Sequence, residues 1–370
     1  MKIPLGKPVF DVEMEQAALD ALRNERFVLG ESVHKFEEEF AKYCGTDYAV
    51  STSSGTDALK IAMLAAGIIP GQAVVTSPAS FIASANAIIH AQCVPIFSDI
   101  TPETNNIDPV KLEKTITAKT KAVIPVHLYG YPSDIDLIND LAKKRDLIVI
   151  EDACQAHGAL YNGKKTGSLG SVGCFSFYPS KNMTVGGDGG IITTNDDKIA
   201  ASAAKLRDCG RKSQYVHDVV GFTSRLNSVN AAIGRVQLRR INDWNDRRRR
   251  AARTYDRSLE GVGDLVLPPK GSAKIEPVYH LYVVRTNYRE ELKSWLEKQG
   301  IGCGVHYALP IHLQPIYREL FGYREGDYPN AEELCNKCLT IPIFPEINSE
   351  EILFVTENIR KFFENKRREN

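Results

Sequence analysis

Short apolar runs alternate with helix-length segments between about residues 48 and 195, and this alternation leaves few folds open to the chain. The seven runs that we interpret as strands are YAVSTSS, AVVTSP, CVPIFSDI, KAVIPVHLYG, LIVIEDA, GCFSFYPS and GGIITTN. Several segments between them are amphipathic, for example TDALKIAMLAAG and DIDLINDLAKKR. Strands that are apolar throughout and separated by helices are typical of parallel sheets covered on both faces. The pattern therefore predicts an α/β fold with a mostly parallel, seven-stranded sheet.

The last two apolar runs are joined by a Gly-rich connection that is too short for a crossover helix. We therefore expect one antiparallel strand at this place in the sheet. Two helices are predicted in the first forty residues, on either side of the turn FVLGES. A long helix is predicted over VNAAIGRVQLRRINDWNDRRRRAARTYDRSLEG.

A chain of 370 residues exceeds one ordinary hydrophobic core, so two domains are expected. We assign a large domain to residues 1–245, including the N-terminal helices, and a smaller C-terminal α/β domain to residues 246–370. Segment 261–277 is rich in Gly and Pro and indicates the passage to the smaller domain. The elements predicted there are a strand HLYVVRT, a helix REELKSWLEKQG, a strand GVHY and a final helix SEEILFVTENIRKFFENK.

Charge and hydropathy argue against nucleic acid and membranes as partners. The 46 basic residues are balanced by 46 acidic ones, and the run Arg247–Arg250 is interleaved with acidic residues, which favours the solvated face of a helix. No apolar run reaches the roughly 20 residues of a membrane span. The first residues, MKIPLGKPVFDVEMEQ, lack the apolar stretch of a secretory signal. We therefore expect a cytoplasmic protein.

The eight cysteines are scattered, mostly in apolar surroundings, which favours reduced thiols over a disulfide framework. Cys335 and Cys338 form one C-x-x-C motif. A structural zinc site needs a second pair or histidines at ligand spacing, and neither follows. We interpret this pair as part of the packing and expect no metal.

Polar residues follow several of the predicted strands, where an open parallel sheet binds its ligands. After YAV the small residues Ser51–Thr56 open a helix, which suits an anion such as a phosphate, although they could equally be an ordinary helix cap. Asp152 follows LIVI, and a carboxylate there needs a cation or a strong donor, such as a protonated pyridine nitrogen. The alternative is a structural Asp that caps the next helix.

A lysine, Lys181, follows GCFSFY in a stretch that is otherwise apolar and glycine-rich. Burial lowers the pKa of a lysine and supplies the neutral amine that attacks an aldehyde. The glycines of Val185–Gly190 let backbone lie against a flat ring or a phosphate. A phosphate cradle, a carboxylate and a lysine at neighbouring strand ends are the three anchors of pyridoxal 5′-phosphate (PLP). The sequence therefore predicts a PLP enzyme in which Lys181 holds the cofactor as a Schiff base.

Six motifs occur in the order SSGTDAL, SFIASANAI, PVHLYGYPSDID, EDACQAHGA, FSFYPSKN followed by GGDGG, and HYALPIHLQPIY. In this order they resemble the DegT/DnrJ/EryC1/StrS family of sugar aminotransferases, which has the aspartate aminotransferase fold (fold type I). The resemblance runs from about residue 4 to residue 360. It implies amino transfer to keto-sugars that are mostly attached to nucleotides.

The resemblance also implies roles for individual residues. Lys181 and Asp152 would be catalytic, Lys181 as the proton shuttle and Asp152 as the partner of the pyridine nitrogen. The other residues expected to bind the cofactor are Gly55, Thr56 and Ser176 at the phosphate, Phe81 at the ring face and Gln155 at the 3′-oxygen. The residues expected to bind the sugar are Tyr178, Asn182, His306, Tyr307 and His312.

The chain departs from the family in one motif, where many members have G-Y-N-S-R-L-D and an Asn that reaches the partner subunit's PLP phosphate. Here residues 221–227 read GFTSRLN, with Thr223 at the Asn position. Either Thr223, whose hydroxyl has a shorter reach, or the nearby Asn227 makes this contact, or the phosphate lacks it. The composite site implies a homodimer with the active sites at the subunit interface.

From these expectations we predict an aminotransferase that uses L-glutamate as the amino donor and a nucleotide-linked keto-sugar as the acceptor, at sugar C3 or C4. Relatives that dehydrate sugars carry a histidine in place of the lysine, so Lys181 argues against that branch. Two alternatives stay open. One is an aminotransferase for a cyclitol or another keto-polyol without a nucleotide, and the other is a PLP-binding regulatory protein.

Overall fold

The computed structural model describes residues 1–369, whose strands and helices are numbered along the chain. The strands are β1 (Tyr48–Thr52), β2 (Ala73–Thr76), β3 (Val94–Phe97), β4 (Thr120–Ile124), β5 (Ile148–Asp152), β6 (Leu160–Tyr161), β7 (Lys164–Lys165), β8 (Val172–Ser176), β9 (Gly190–Thr194), β10 (Arg211–Ser213), β11 (Val216–His217), β12 (Ile275–Glu276), β13 (Tyr282–Arg285) and β14 (Cys338–Ile341). The α-helices are α1 (Val12–Asn24), α2 (Glu31–Cys44), α3 (Gly55–Ala65), α4 (Ala83–His90), α5 (Pro109–Thr115), α6 (Ile135–Arg145), α7 (Asp197–Arg207), α8 (Ser228–Leu259), α9 (Arg289–Lys298), α10 (Pro315–Phe321), α11 (Pro329–Lys337) and α12 (Ser349–Glu369).

All seven predicted runs form strands of one sheet, with the order β1-β9-β8-β5-β4-β2-β3. Strands β3, β2, β4, β5 and β8 pair in parallel, whereas β9 is antiparallel to both of its neighbours, β1 and β8. The predicted α/β fold and its antiparallel strand are confirmed. Every strand of this sheet except β9 ends at the same edge, which brings the residues after β1, β2, β5 and β8 together.

Helices cover both faces of the sheet, and the alternation of side chains along each strand divides them between two layers. In β9, Ile192 packs in the same cluster as Leu59 of α3. Its neighbour Ile191 packs on the other face, in the same cluster as Phe36 and Phe40 of α2. Both faces are apolar because both are covered, which is why these strands are apolar throughout.

The two N-terminal helices form where they were predicted, and their ends have clear causes. Asp11 caps α1 because its side chain accepts hydrogen bonds from the backbone N–H groups of Glu13 and Met14. Helix α2 ends at Gly45, whose φ of 81° is a left-handed conformation that glycine adopts without strain. Both helices contact α8.

A second core contains the antiparallel pair β13 and β14 with helices α9 and α12. The C-terminal part of α8 contributes Tyr255 and Leu259 to this core. Ile3 also packs in this core and pairs with Ile301. The first residues therefore contact the second core, although we expected them to belong to the large domain. The expected boundary at residues 245 and 246 falls within α8, a helix that joins the two cores.

The predicted strand GVHY does not form. In residues 304–307 only Gly304 makes a ladder contact, a single bridge to Thr340. The carbonyl of His306 instead accepts a hydrogen bond from the Tyr129 hydroxyl, and the His306 ring bonds the Thr340 hydroxyl. Tertiary contacts of these groups therefore replace the strand hydrogen bonds that an isolated pattern predicts.

The arginine run on α8 is only partly a solvated face. Arg247 is exposed and pairs with Asp243 at 2.8 Å, which agrees with the prediction of a solvated helix face. Arg248 is buried, with 5% of its surface exposed, and donates to the backbone carbonyls of residues 279, 280 and 343. Burial lowers the pKa of its guanidinium to about 10.

The eight cysteines are free thiols, and Cys335 and Cys338 are both buried. Burial raises the pKa of Cys338 to about 11 and that of Cys335 further. Within residues 1–369, His, Cys, Asp and Glu form no group of three or more that could hold a metal ion. In the same residues no helix is long and apolar enough to cross a membrane.

Candidate active site

A cavity of about 460 Å³ opens at the sheet edge where β5 and β8 end. Ten of the fourteen residues predicted for the site line it: Gly55, Thr56, Phe81, Asp152, Gln155, Ser176, Tyr178, Lys181, His306 and Tyr307. Residues between Gly55 and Lys181 make up eight of them, and the segment before β14 supplies His306 and Tyr307. The structure therefore brings the predicted lysine and carboxylate into one cavity.

One wall of the cavity is the start of α3. Ser54 caps this helix by accepting a hydrogen bond from the backbone N–H of Asp57 at 3.1 Å. The first N–H groups of a helix have no partner within it and favour an anion. A Cβ atom on Gly55 would lie 2.6 Å from the Cβ of Ser176, so only glycine fits there. The absence of a side chain lets the helix start and Ser176 approach each other closely.

Asp152 ends β5 with its carboxylate held by two donors. The Ser84 hydroxyl donates to Oδ2 at 2.6 Å, and the backbone N–H of Cys154 donates to Oδ1 at 3.2 Å. The backbone of Asp152 is also tied to the loop after β4, since its N–H donates to the carbonyl of Pro125. The carboxylate is buried, with 4% of the residue exposed, yet it lines the cavity.

The neighbouring carboxylate, Glu151, points away from the cavity and is fully buried. It accepts hydrogen bonds from the backbone N–H groups of Gly167, Leu169 and Gly170, and bonds His127 Nε2 at 2.9 Å. These bonds satisfy its charge within the protein. The two adjacent acids therefore differ in kind: Glu151 braces the end of β5, and Asp152 faces the cavity.

Lys181 follows β8, is half-buried as a residue and lines the same cavity. Within the described residues its amine makes no hydrogen bond or ion pair. Burial lowers the pKa of the amine, while Cys154 and Asp152 oppose this shift. A buried amine without an anion partner favours its neutral, nucleophilic form.

His306 and Tyr307 form one side of the cavity, and hydrogen bonds to Tyr129 and Gln155 hold this side in place. Gln155 accepts from the backbone N–H of Tyr129 at 2.8 Å and donates to the Tyr307 hydroxyl at 3.2 Å. The ring of Tyr307 lies 5.8 Å from that of Phe81, which is 54% exposed. Burial and the charge of Lys181 lower the pKa of His306, so its ring is neutral at pH 7.

Asn182 and His312, which were expected to contact the sugar, do not line the cavity. The amide of Asn182 is buried and donates to Asn245 Oδ1 at 2.9 Å and to the carbonyl of Val278 at 3.1 Å. His312 has no exposed surface, and its Nε2 lies 3.0 Å from a Glu332 oxygen. Both side chains are buried outside this cavity, so neither is placed to contact a ligand in it.

Thr223 and Asn227, expected to contact the partner's cofactor, are both exposed and lie outside this chain's own cavity. Asn227 caps α8, since its Oδ1 accepts from the backbone N–H of Asn230 at 2.8 Å. The Thr223 hydroxyl lies 3.3 Å from the sulfur of Cys209. That Thr223 or Asn227 contacts the PLP phosphate of a partner subunit stays a prediction.

Sequence reasoning gave no role to several residues that line the cavity, among them Ser80, Ser84, Cys154 and Asp188. Ser80 precedes α4 and Ser84 lies in its first turn, with their hydroxyls 2.8 Å apart. Their shared motif, SFIASANAI, was the available signal, but serine is so common near helix starts that it carries little weight alone.

The chain matches the model of the DegT/DnrJ/EryC1/StrS aminotransferase family over residues 8–360. A "Pleiotropic regulatory protein" of Geobacillus stearothermophilus is 44% identical over 93% of this chain and 92% of its own length. The "dTDP-3-amino-3,4,6-trideoxy-alpha-D-glucose transaminase" of Streptomyces venezuelae is 39% identical over 95% and 92%. A "UDP-N-acetyl-3-dehydro-alpha-D-glucosamine 3-aminotranferase" of Acidithiobacillus ferrooxidans is 39% identical over 90% and 89%.

Solved structures agree with these sequence matches. The S. venezuelae protein DesV, crystallised in complex with a ketimine intermediate, superimposes with a TM-score of 0.94 at 38% identity, over 98% of this chain and 99% of its own. The PLP-form of the putative sugar aminotransferase Spr1654 from Streptococcus pneumoniae gives a TM-score of 0.93 at 26% identity, over 99% of both chains. The predicted fold and the predicted aminotransferase activity are confirmed. The chain belongs to the DegT/DnrJ/EryC1/StrS aminotransferase family.

Proposed function

We propose that this enzyme binds PLP and transfers the amino group of L-glutamate to C3 of a nucleotide-linked keto-sugar, giving an amino sugar and 2-oxoglutarate. The observation that carries the proposal is the placement of two groups in one cavity: the amine of Lys181, which has no partner among residues 1–369, and the carboxylate of Asp152, which Ser84 holds. Two relatives whose names specify amination at sugar C3 support the choice of acceptor and position.

The residues of the cavity fit the three ends of PLP. Gly55, Thr56 and Ser176 would hold the phosphate at the start of α3, where a helix N-terminus favours an anion. Asp152 would accept a hydrogen bond from the ring nitrogen. Lys181 would bind the aldehyde carbon. The exposed ring of Phe81 would cover a face of the cofactor, and Gln155 would contact its 3′-oxygen.

When bound, PLP supplies an electron sink that stabilises negative charge on the carbon next to the transferred nitrogen. Lys181 would move the proton to and from that carbon, since burial lowers the pKa of its amine and favours the form that accepts a proton. Asp152 would pair with the ring nitrogen and keep it protonated. The wall of His306 and Tyr307 helps to exclude water from the reacting carbon.

For the acceptor sugar we propose contacts from Tyr178, His306 and Tyr307, which line the cavity. A neutral His306 can accept or donate a hydrogen bond to a sugar hydroxyl, depending on its tautomer. We do not extend the proposal to Asn182 and His312, because neither residue lines the cavity. In a homodimer, Thr223 or Asn227 of one chain would contact the cofactor phosphate of the other.

The experiment combines cofactor uptake with two half-reactions. We expect the purified protein to take up PLP with a visible absorbance band, to release 2-oxoglutarate on addition of L-glutamate, and then to aminate a 3-keto nucleotide sugar. The variant Lys181→Ala should lose the band and reduce turnover by at least about a thousandfold, since it removes both the attachment point and the proton carrier. The exposed Lys164→Ala is the matched control. An unchanged band in Lys181→Ala would refute the assignment.

The same assay separates the alternatives. A panel of 3-keto and 4-keto sugars with and without nucleotides tests for a keto-polyol acceptor, which would react without the nucleotide. The name of the Geobacillus relative favours a regulatory role as the second candidate. Salt-dependent binding to DNA without any amino transfer would support that role and overturn the enzymatic proposal.

A further inference from the structure

We propose that Ser84, supported by Ser80, is a positioning residue that sets the orientation of Asp152 toward the cofactor ring. The inference rests on the proposed binding of PLP, and it assigns a role to two serines of the motif SFIASANAI to which the sequence had given none.

The three side chains form a directed chain of hydrogen bonds. The Ser84 hydroxyl donates to Asp152 Oδ2 at 2.6 Å and lies 2.8 Å from the Ser80 hydroxyl. A serine has one hydroxyl hydrogen, so Ser84, having given it to Asp152, must accept from Ser80. Ser80 therefore donates to Ser84, and Ser84 donates to the carboxylate of Asp152.

Burial strengthens this arrangement. Ser80 and Ser84 are 4% and 2% exposed, and Asp152 is 4% exposed, so water competes little for these bonds. Hydrogen bonds to a carboxylate are shorter and stronger than those between neutral groups. The Ser84 bond is the shorter of the two that hold the carboxylate, since the one from the Cys154 N–H measures 3.2 Å.

Two donors on different oxygens fix the rotation of the Asp152 carboxylate. Rotation about the bond to the carboxyl carbon would break either the Ser84 bond or the Cys154 bond. Because a carboxylate oxygen accepts more than one hydrogen bond, lone pairs remain for a donor in the cavity that Asp152 lines. The chain of serines thus presents the acid in one orientation before any ligand arrives.

Ser84 also links Asp152 to Phe81, the residue proposed to cover a face of the cofactor ring. It lies in the first turn of α4, and its backbone N–H donates to the carbonyl of Phe81 at 3.1 Å. The same turn therefore carries Phe81, proposed for the ring face, and Ser84, which holds the partner of the ring nitrogen.

The test measures PLP affinity of the apo-protein and the pH midpoint of the visible band of the PLP-loaded protein, neither of which requires turnover. Ser84→Ala should weaken PLP binding by about tenfold, the effect of one hydrogen bond to a charged group. It should also move the midpoint to higher pH, because a less firmly protonated ring nitrogen withdraws fewer electrons from the bond to Lys181. Ser80→Ala should act in the same direction with a smaller effect.

Ser133→Ala is the matched control, since Ser133 is equally buried and its hydroxyl donates to the carbonyl of Val126 outside the cavity. If Ser84→Ala leaves the PLP affinity and the pH midpoint unchanged, the inference is overturned. The proposed function would still stand in that case, because the wild-type protein binds PLP. Equal effects of Ser84→Ala and Ser133→Ala would also overturn it. Failure of the wild-type protein to take up PLP would overturn the proposed function and this inference together.

Discussion

Lys181 and Asn182 are adjacent in the chain, but their side chains lie in different surroundings. The Lys181 amine lines the cavity without a partner among the described residues, whereas the Asn182 side chain is buried with 4% of the residue exposed. Asn182 bonds Asn245 of α8, the carbonyl of Val278 and His280 Nδ1. Asn182 thereby ties the loop that carries Lys181 to α8 and to the segment just before β13.

The buried His157 makes the stability of the protein dependent on pH. Its ring centroid lies 5.2 Å from that of Phe175 and 5.7 Å from that of Phe177, and burial together with the charge of Lys181 lowers its pKa from 6.5 to about 3. The unfolded chain therefore binds a proton at a higher pH than the folded chain does. The contribution of His157 to stability is present above about pH 6.5 and is lost as the pH falls toward 3.

We expect His157→Phe to make the decline in the free energy of unfolding below pH 6.5 shallower, by at most about 1.4 kcal/mol per pH unit. A phenyl ring suits the aromatic surroundings and carries no titratable group. Urea denaturation at several pH values between 4 and 8 measures the effect, with the exposed His90→Gln as the control. Equal slopes in wild type and His157→Phe would contradict the expectation.

At the scale of elements, the start of α3 and the end of β8 are placed by their close approach at Gly55. The Cβ that alanine would add lies 2.6 Å from Ser176 Cβ and 3.0 Å from the sulfur of Cys154. Such a contact forces the start of α3 or the end of β8 to move. Gly55, Ser176 and Cys154 all line the cavity, so this movement would change its shape.

Gly55→Ala should therefore lower the free energy of unfolding by about 1–3 kcal/mol and weaken PLP binding at least about tenfold. Denaturant titration and a PLP binding curve measure the two effects. Gly6→Ala is the control, because a Cβ there meets nothing within 4 Å. A Gly55→Ala protein with wild-type affinity would argue against the phosphate site at this helix start.

At the scale of the whole molecule, large apolar side chains are exposed beside the residues expected to reach a partner subunit. Phe27 is 64% exposed and precedes Val28, which pairs with Asn227. Val220 is 91% exposed and lies three residues before Thr223. Exposed apolar side chains of this size are typical of surfaces that bind another protein.

If this surface joins two copies of the chain, Phe27→Asp should shift the protein from dimer toward monomer, since it places a charge where an apolar side chain would be buried. Sedimentation velocity over a range of concentrations measures the change. Leu353→Asp changes a leucine on α12 that is 56% exposed and serves as the control. A wild-type protein that is monomeric at micromolar concentration would contradict the expected homodimer.

Local pattern was enough for most of the fold. The seven runs became the seven strands of the large sheet, and the short connection before β9 made that strand antiparallel. The pattern was not enough for GVHY, because the Tyr129 hydroxyl and the Thr340 side chain engage His306 instead of a neighbouring strand. It was also not enough for Arg248, which looks like its exposed neighbours in sequence but points to the interior.

The sequence by itself determined the strands, the order of the motifs and the presence of one lysine and one acid at strand ends, because these depend on periodicity and on residue type. Only the tertiary structure decided which neighbouring polar groups serve the cavity. It turned Asp152 inward and Glu151 away, buried Asn182 and His312, and brought Ser84 to Asp152 across 68 positions of sequence. The physical reason is that a buried polar group takes the partners that packing brings to it, and those partners are distant in the chain.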